Sequence, residues 1–152
     1  MAFLLAVMLA AAPAAAKAEA SKAPDVAASA RLSFRAGDLA KAVDWASHCV
    51  RAQPEVCRPL LKALAEYGLL ANHTDELTVD QARDFIRYDR VISPEAPGRI
   101  TKAVIARFVT GPLSHARDLA AAEPERAKAL VDRVLEVDPS NADASELRKS
   151  LK

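Results

Sequence analysis

Aromatic side chains make up only 5% of the 152 residues, and glycine occurs four times against nine prolines. So few aromatics and turn glycines argue against a sheet, because strands draw on aromatic and β-branched residues and tight turns draw on glycine. The core has to come from Ala, Leu and Val, which suits closely spaced helices. Charge of one sign is lacking too: 21 basic residues face 20 acidic ones, for a net charge of +1. That balance disfavours nonspecific binding to nucleic acid or to an anionic membrane, and no charge block marks an acidic or basic tail. Among chemical motifs, C-x-x-C, G-x-S-x-G and a glycine-rich phosphate loop are all missing. No two carboxylates share an apolar setting of the kind that separates a general acid from a general base. The sequence therefore assigns no catalytic residue, no metal ligand and no cofactor, and the expectation is that the chain is not an enzyme.

One long apolar run is present, at the start. Residues 2–9 are apolar, residues 10–16 are small apart from Pro13, and the first charge is Lys17. This pattern resembles a secretory signal peptide, with A-x-A cleavage patterns ending at Ala16, Ala18 or Ala20. The run is about fifteen residues, below the roughly 20 that span a bilayer. Export to the periplasm or the cell exterior is expected, with a membrane anchor formed by residues 2–16 as the alternative. Residues 1–20 are read as this leader, 21–25 as a short polar linker and 26–151 as one helical domain.

Along that domain, apolar residues recur at helical spacing. Val26, Ala30 and Phe34 mark a first helix, with Asp25 as its N-cap, ended by Gly37-Asp38. Leu39, Ala42, Val43, Ala46, Cys49 and Val50 mark a second. Pro54 then opens a third, carrying Val56, Leu60, Leu61, Leu64, Tyr67 and Leu70. After a polar loop over residues 72–77, Thr78 caps a fourth helix that ends before Pro94. The spacing repeats: Ala42, Ala82 and Ala127 each lie twelve residues before a proline, at 54, 94 and 139. Gly37 and Gly111 likewise each precede an alanine by five. Residues 99–109 and 112–122 read as two helices separated by Gly111-Pro112, followed by helices over 124–137 and 141–151. A repeated helical unit accounts for these intervals.

In these features the chain resembles the tetratricopeptide repeat family, built from 34-residue pairs of antiparallel helices. The matching residues are Gly37, Ala42, Cys49 in place of a small buried residue, Pro54, Leu60, Leu64 and Tyr67, with the stretch 134–144 similar to a junction between repeats. Units beginning at Ala23, Cys57 and Pro97 keep the register if six extra residues are allowed in the loop around 72–77. Asp89 departs from the pattern, standing where a small apolar residue is expected. The resemblance implies an all-α fold: a short solenoid of about three antiparallel helical hairpins with a C-terminal capping helix.

The two cysteines, Cys49 and Cys57, flank the turn at Pro54. In an exported chain such a pair is expected to form a disulfide; the alternative is two small buried hydrophobes. His48 adjoins Cys49 but lies on a different helical face, and three side chains of that kind fall short of a zinc site.

The family resemblance further implies that the first helix of each hairpin lines a surface that binds peptides. On those helices lie Arg31, Arg35, Arg58, Lys62 and Lys102, with Phe34 and Phe108 as apolar neighbours. The expected partner is a protein or peptide of acidic character, with no nucleic acid and with membrane contact only through an uncleaved N-terminus. The alternative is a solvated basic face on ordinary amphipathic helices. The function expected is that of an exported, non-catalytic adaptor or scaffold; the alternatives are a periplasm-facing structural segment of a membrane-anchored assembly and, with less support, a small thiol enzyme or hydrolase.

Overall fold

The structure, a computed structural model, describes residues 25–151; the expected leader and most of the linker lie outside them. The described chain is all helical. In order come α1 (Val26–Arg35), α2 (Leu39–Ala52), α3 (Pro54–Ala71), a 3-10 turn (Thr74–Glu76), α4 (Val79–Ile92), α5 (Arg99–Ile105), a π-helical turn (Ala106–Thr110), α6 (Gly111–Leu119), α7 (Pro124–Val137) and α8 (Ala142–Ser150). Successive helices pack on one another, α1 on α2, α2 on α3, α3 on α4, α6 on α7 and α7 on α8, while α4 also meets α7. The result is an array of antiparallel helical hairpins closed by a terminal helix, the fold class read from the sequence.

The starts and stops follow local chemistry. The Asp25 carboxylate accepts from the Ala28 amide, and Asp38 does the same for Lys41. Thr78 and Gln81 form a reciprocal capping box at the head of α4. Gly37, at φ +87°, turns the chain after α1; its amide reaches the Phe34 carbonyl, and the Asp38 amide reaches Ser33. That pair of bonds is a Schellman turn, and the positive φ is the reason glycine stands there.

The proline spacing is written into the backbone. Gln53, Ser93, Glu123 and Asp138 each precede a proline, and their (φ, ψ) values are (−137°, 66°), (−133°, 74°), (−136°, 64°) and (−130°, 83°). Proline's ring disfavours the helical region for the residue before it, so the chain makes the same bend four times, at the ends of α2, α4 and α7 and at the start of α7. Ala42, Ala82 and Ala127, twelve residues upstream of three of these prolines, are all 0% exposed. Their methyl groups set how closely neighbouring helices approach.

The third unit differs from the expected one. Gly111-Pro112 does not interrupt the helix: residues 99–119 run on as one helical rod, with the π turn inside it. Pro112 has no N–H to give, and the chain accommodates it by widening one turn, so that the Gly111 amide bonds back to the Ala106 carbonyl five residues earlier. A Cβ on Gly111 would lie 3.0 Å from that carbonyl oxygen. The likeness of Gly37 and Gly111 in the sequence therefore hides two roles, a hairpin turn in one and close backbone approach in the other. The rod's final helix also stops at Leu119, three residues short of expectation.

Candidate functional site

Cys49 on α2 and Cys57 on α3 are both buried and paired at disulfide distance, their Cα atoms 5.8 Å apart, inside the span that a bridge requires. The pair clasps the first hairpin to the second across the Pro54 bend. His48 is exposed and turned to the Asp44 carbonyl instead. Among the described residues no three His, Cys, Asp or Glu side chains come together to hold a metal ion.

The basic residues assigned to partner binding are spread out. Arg35 donates to Glu95 at 2.8 Å. Arg31 shares a cleft with Arg35, Ser93, Pro94 and Glu95, its Nε buried there without a hydrogen-bond partner. Arg58, Lys62 and Lys102 lie outside that cleft, and all three are exposed. Phe34, expected beside them at the surface, is 5% exposed and belongs to the core. Its ring meets Tyr67 edge-on at 4.9 Å, and Tyr67 stacks on Phe85 at 4.2 Å. The expectation failed at Phe34 because its helix turns that side inward, a choice that i, i+4 spacing alone leaves open.

Beneath this aromatic stack runs a polar chain that sequence reasoning missed. Asp89, 2% exposed, accepts from the Gly98 amide at 2.9 Å and from the Thr101 hydroxyl at 2.7 Å, both on Oδ1. Thr101 has one proton and gives it to Asp89, so the 3.0 Å contact between Tyr67 and Thr101 has the phenol as donor. Burial pushes the Asp89 carboxyl above its usual range, against the pull of Thr101, Gly98 and the nearby Arg90 charge. Burial likewise pushes the Tyr67 phenol up to about 12. Gly98 is required here, since a Cβ would lie 2.9 Å from the Phe34 ring and 3.0 Å from Asp89 Oδ1. The chain ties α3, α4 and α5 together, so the residue that departs from the repeat pattern is the one that joins the second unit to the third.

Arginines on α4 hold the next layer. Arg90 donates to Asp138 at 2.9 Å and to Ser140 at 3.1 Å, and Arg83 donates to the Glu136 carbonyl. Cations at the C-terminal end of α7 also oppose its dipole. Partial burial disfavours charge on Asp138, but hydrogen bonds from Ser140 and Arg90, with the Arg90 charge, hold its carboxyl below the ordinary value.

A groove of about 290 Å³ opens where the start of α4, the π turn and α7 meet. Leu77, Val79, Phe108, Pro112 and Leu130 supply apolar lining, and Arg107 and Arg133 supply charge. Arg107 is fixed by donating to the Thr74 and Asp75 carbonyls, with its guanidinium 5.0 Å over the Phe108 ring. Arg133 is exposed and has neither an ion pair nor a hydrogen bond among the described residues. The π turn supplies Arg107 and Phe108 to the groove and Pro112 follows it, so the Gly-Pro pair within a helical run was its one signal in the sequence. No helix among the described residues is long and apolar enough to cross a membrane. Comparison with protein-family models, curated proteins and solved structures finds no match for this chain.

Proposed function

We propose that the chain is a non-catalytic protein-interaction module of tetratricopeptide-like build, an exported adaptor or scaffold that holds an acidic segment of another protein. The groove beside the π turn is its docking place. What supports this reading is the uncommitted guanidinium of Arg133 beside an apolar floor of Leu77, Val79, Phe108 and Leu130. A carboxylate on the incoming segment pairs with Arg133 and, more weakly, with the already engaged Arg107, while an adjacent apolar side chain covers Phe108. A rigid helical frame lowers the ordering cost of such binding. Arg58 and Lys62 on α3 and Lys102 on α5 are further exposed cations, which suit the outer part of a long acidic partner.

Selection from a displayed library of random peptides tests the reading. The expected result is enrichment of sequences combining Asp or Glu with apolar residues, bound about tenfold more weakly by Arg133→Glu, the loss of roughly one charge-assisted contact. Selected peptides without acidic character, or ones indifferent to Arg133→Glu, would contradict it.

A further inference from the structure

A second cleft, of about 190 Å³, lies between α4, the Ser93–Gly98 loop and α5. Its walls are mostly apolar, from Ile86, Pro94, Ala96, Pro97 and Ile105, and Asp89 lines it. Both hydrogen bonds to Asp89 arrive on Oδ1, leaving Oδ2 without a donor among the described residues. Arg31 Nε is the one side-chain nitrogen or oxygen among those residues that is both sealed from solvent and unpartnered. Oδ2 is therefore not sealed, although Asp89 as a whole is 2% exposed, and the cleft that Asp89 lines is the space that could reach it. The other charged groups around the cleft are already engaged: Arg90 by Asp138 and Ser140, Glu95 by Arg35.

We propose that this cleft binds a small primary alkylamine in its protonated form, the ammonium resting on Asp89 Oδ2 and the short apolar stem lying along Ile86, Pro97 and Ile105. A buried carboxylate whose nearest cation, Arg90, is paired with Asp138 instead is costly, and a cation entering at Oδ2 supplies a direct partner. Burial already pushes this carboxyl up, so the carboxylate gains more from a cation than an exposed one would. A divalent metal is a poor occupant, because one free carboxylate oxygen does not make a coordination shell. The loop holds the cleft open by its own bonds: Ser93 Oγ donates to the Ala96 carbonyl at 2.7 Å, and the Gly98 amide is fixed on Asp89.

The test is a titration of the full chain with n-butylammonium at neutral pH, followed through the amide signals of Gly98 and Thr101. A saturable shift is expected, with neutral n-butanol binding about tenfold more weakly because it brings no charge. Asp89→Asn should remove that preference while keeping an acceptor at Oδ1. Ala96→Phe, which leaves the Asp89 bonds untouched and fills the mouth, should abolish the shift in a protein of unchanged helical content. Absence of a saturable shift, equal binding of the alcohol, or full binding by the folded Ala96→Phe protein would each overturn the proposal. Any of these results leaves the groove at Arg133 standing.

Discussion

Asp89, 2% exposed, accepts from the Gly98 amide and the Thr101 hydroxyl and so joins α4 to the head of α5. Truncating it to alanine strands two buried donors, the Gly98 amide and the Thr101 hydroxyl, and should cost about 3 kcal/mol in denaturant unfolding. Asp89→Asn keeps the acceptor and removes the charge, which makes a pH comparison informative. Because burial raises the Asp89 carboxyl, the folded chain binds more protons than the unfolded one between the ordinary carboxyl value, about 3.9, and the raised value. Stability contributed at this site is thus highest in acid and falls as pH rises through that window. Asp138 works in the opposite sense: its carboxyl is depressed, so its contribution is full above the ordinary value and is lost as pH falls through the lowered one. The gap between Asp89→Asn and wild type should therefore shift in favour of the variant as pH rises from about 3.9 to neutrality. A gap independent of pH would mean that Asp89 is not the buried acid described. The sequence showed only that an acid stood where a small apolar residue was expected. Its partners Thr101 and Gly98 lie on the far side of a proline-rich loop, and no periodic pattern links them to it.

At the scale of elements, what was legible is what short-range chemistry dictates. The caps at Asp25 and Thr78, proline opening α3, the turn at Gly37 and the three alanines twelve residues before a proline all depend on contacts within a few residues. All of them stand in the structure. What was not legible is the region where two local rules compete. Gly111-Pro112 normally reads as a break, yet packing of α6 on α7 and of the π turn against α7 keeps the rod helical, and one widened turn absorbs the missing donor. Gly111→Ala separates the two readings. In a regular helix, alanine gains about 1 kcal/mol over glycine. Here the new Cβ meets the Ala106 carbonyl oxygen at 3.0 Å, and a net loss of about 1 kcal/mol is expected. Thermal unfolding of the variant reads the sign directly. The orientation of Phe34 belongs to the same scale: the apolar stripe of α1 was evident, but which side of it faces Tyr67 is set by how α1 lies on α3.

For the whole molecule, stability is shared between apolar packing of hairpin on hairpin and three cross-links of different chemistry: the cysteine pair between α2 and α3, the Tyr67–Thr101–Asp89 chain across α3, α4 and α5, and the arginines that carry α4 onto α7. Closing the nine-residue loop from Cys49 to Cys57 should be worth about 2.5 kcal/mol on the loop-entropy estimate. Oxidised protein should accordingly unfold at higher denaturant than the Cys49→Ala plus Cys57→Ala double variant, and reducing agent should act on wild type alone. Equal midpoints would show that the two side chains contribute only as small buried hydrophobes. Such a frame holds its surface in place, and the proposed function needs that surface to engage a partner at one groove. A photo-crosslinking amino acid placed at Ala129, exposed on α7 one turn before Arg133, and in a second protein at Lys62 on α3, tests this in the native compartment with Arg133 intact. A discrete protein adduct should form from position 129 and be lost on competition with an acidic groove-binding peptide. Adducts from position 62 alone, or adducts at 129 that the peptide does not displace, would contradict docking at the groove.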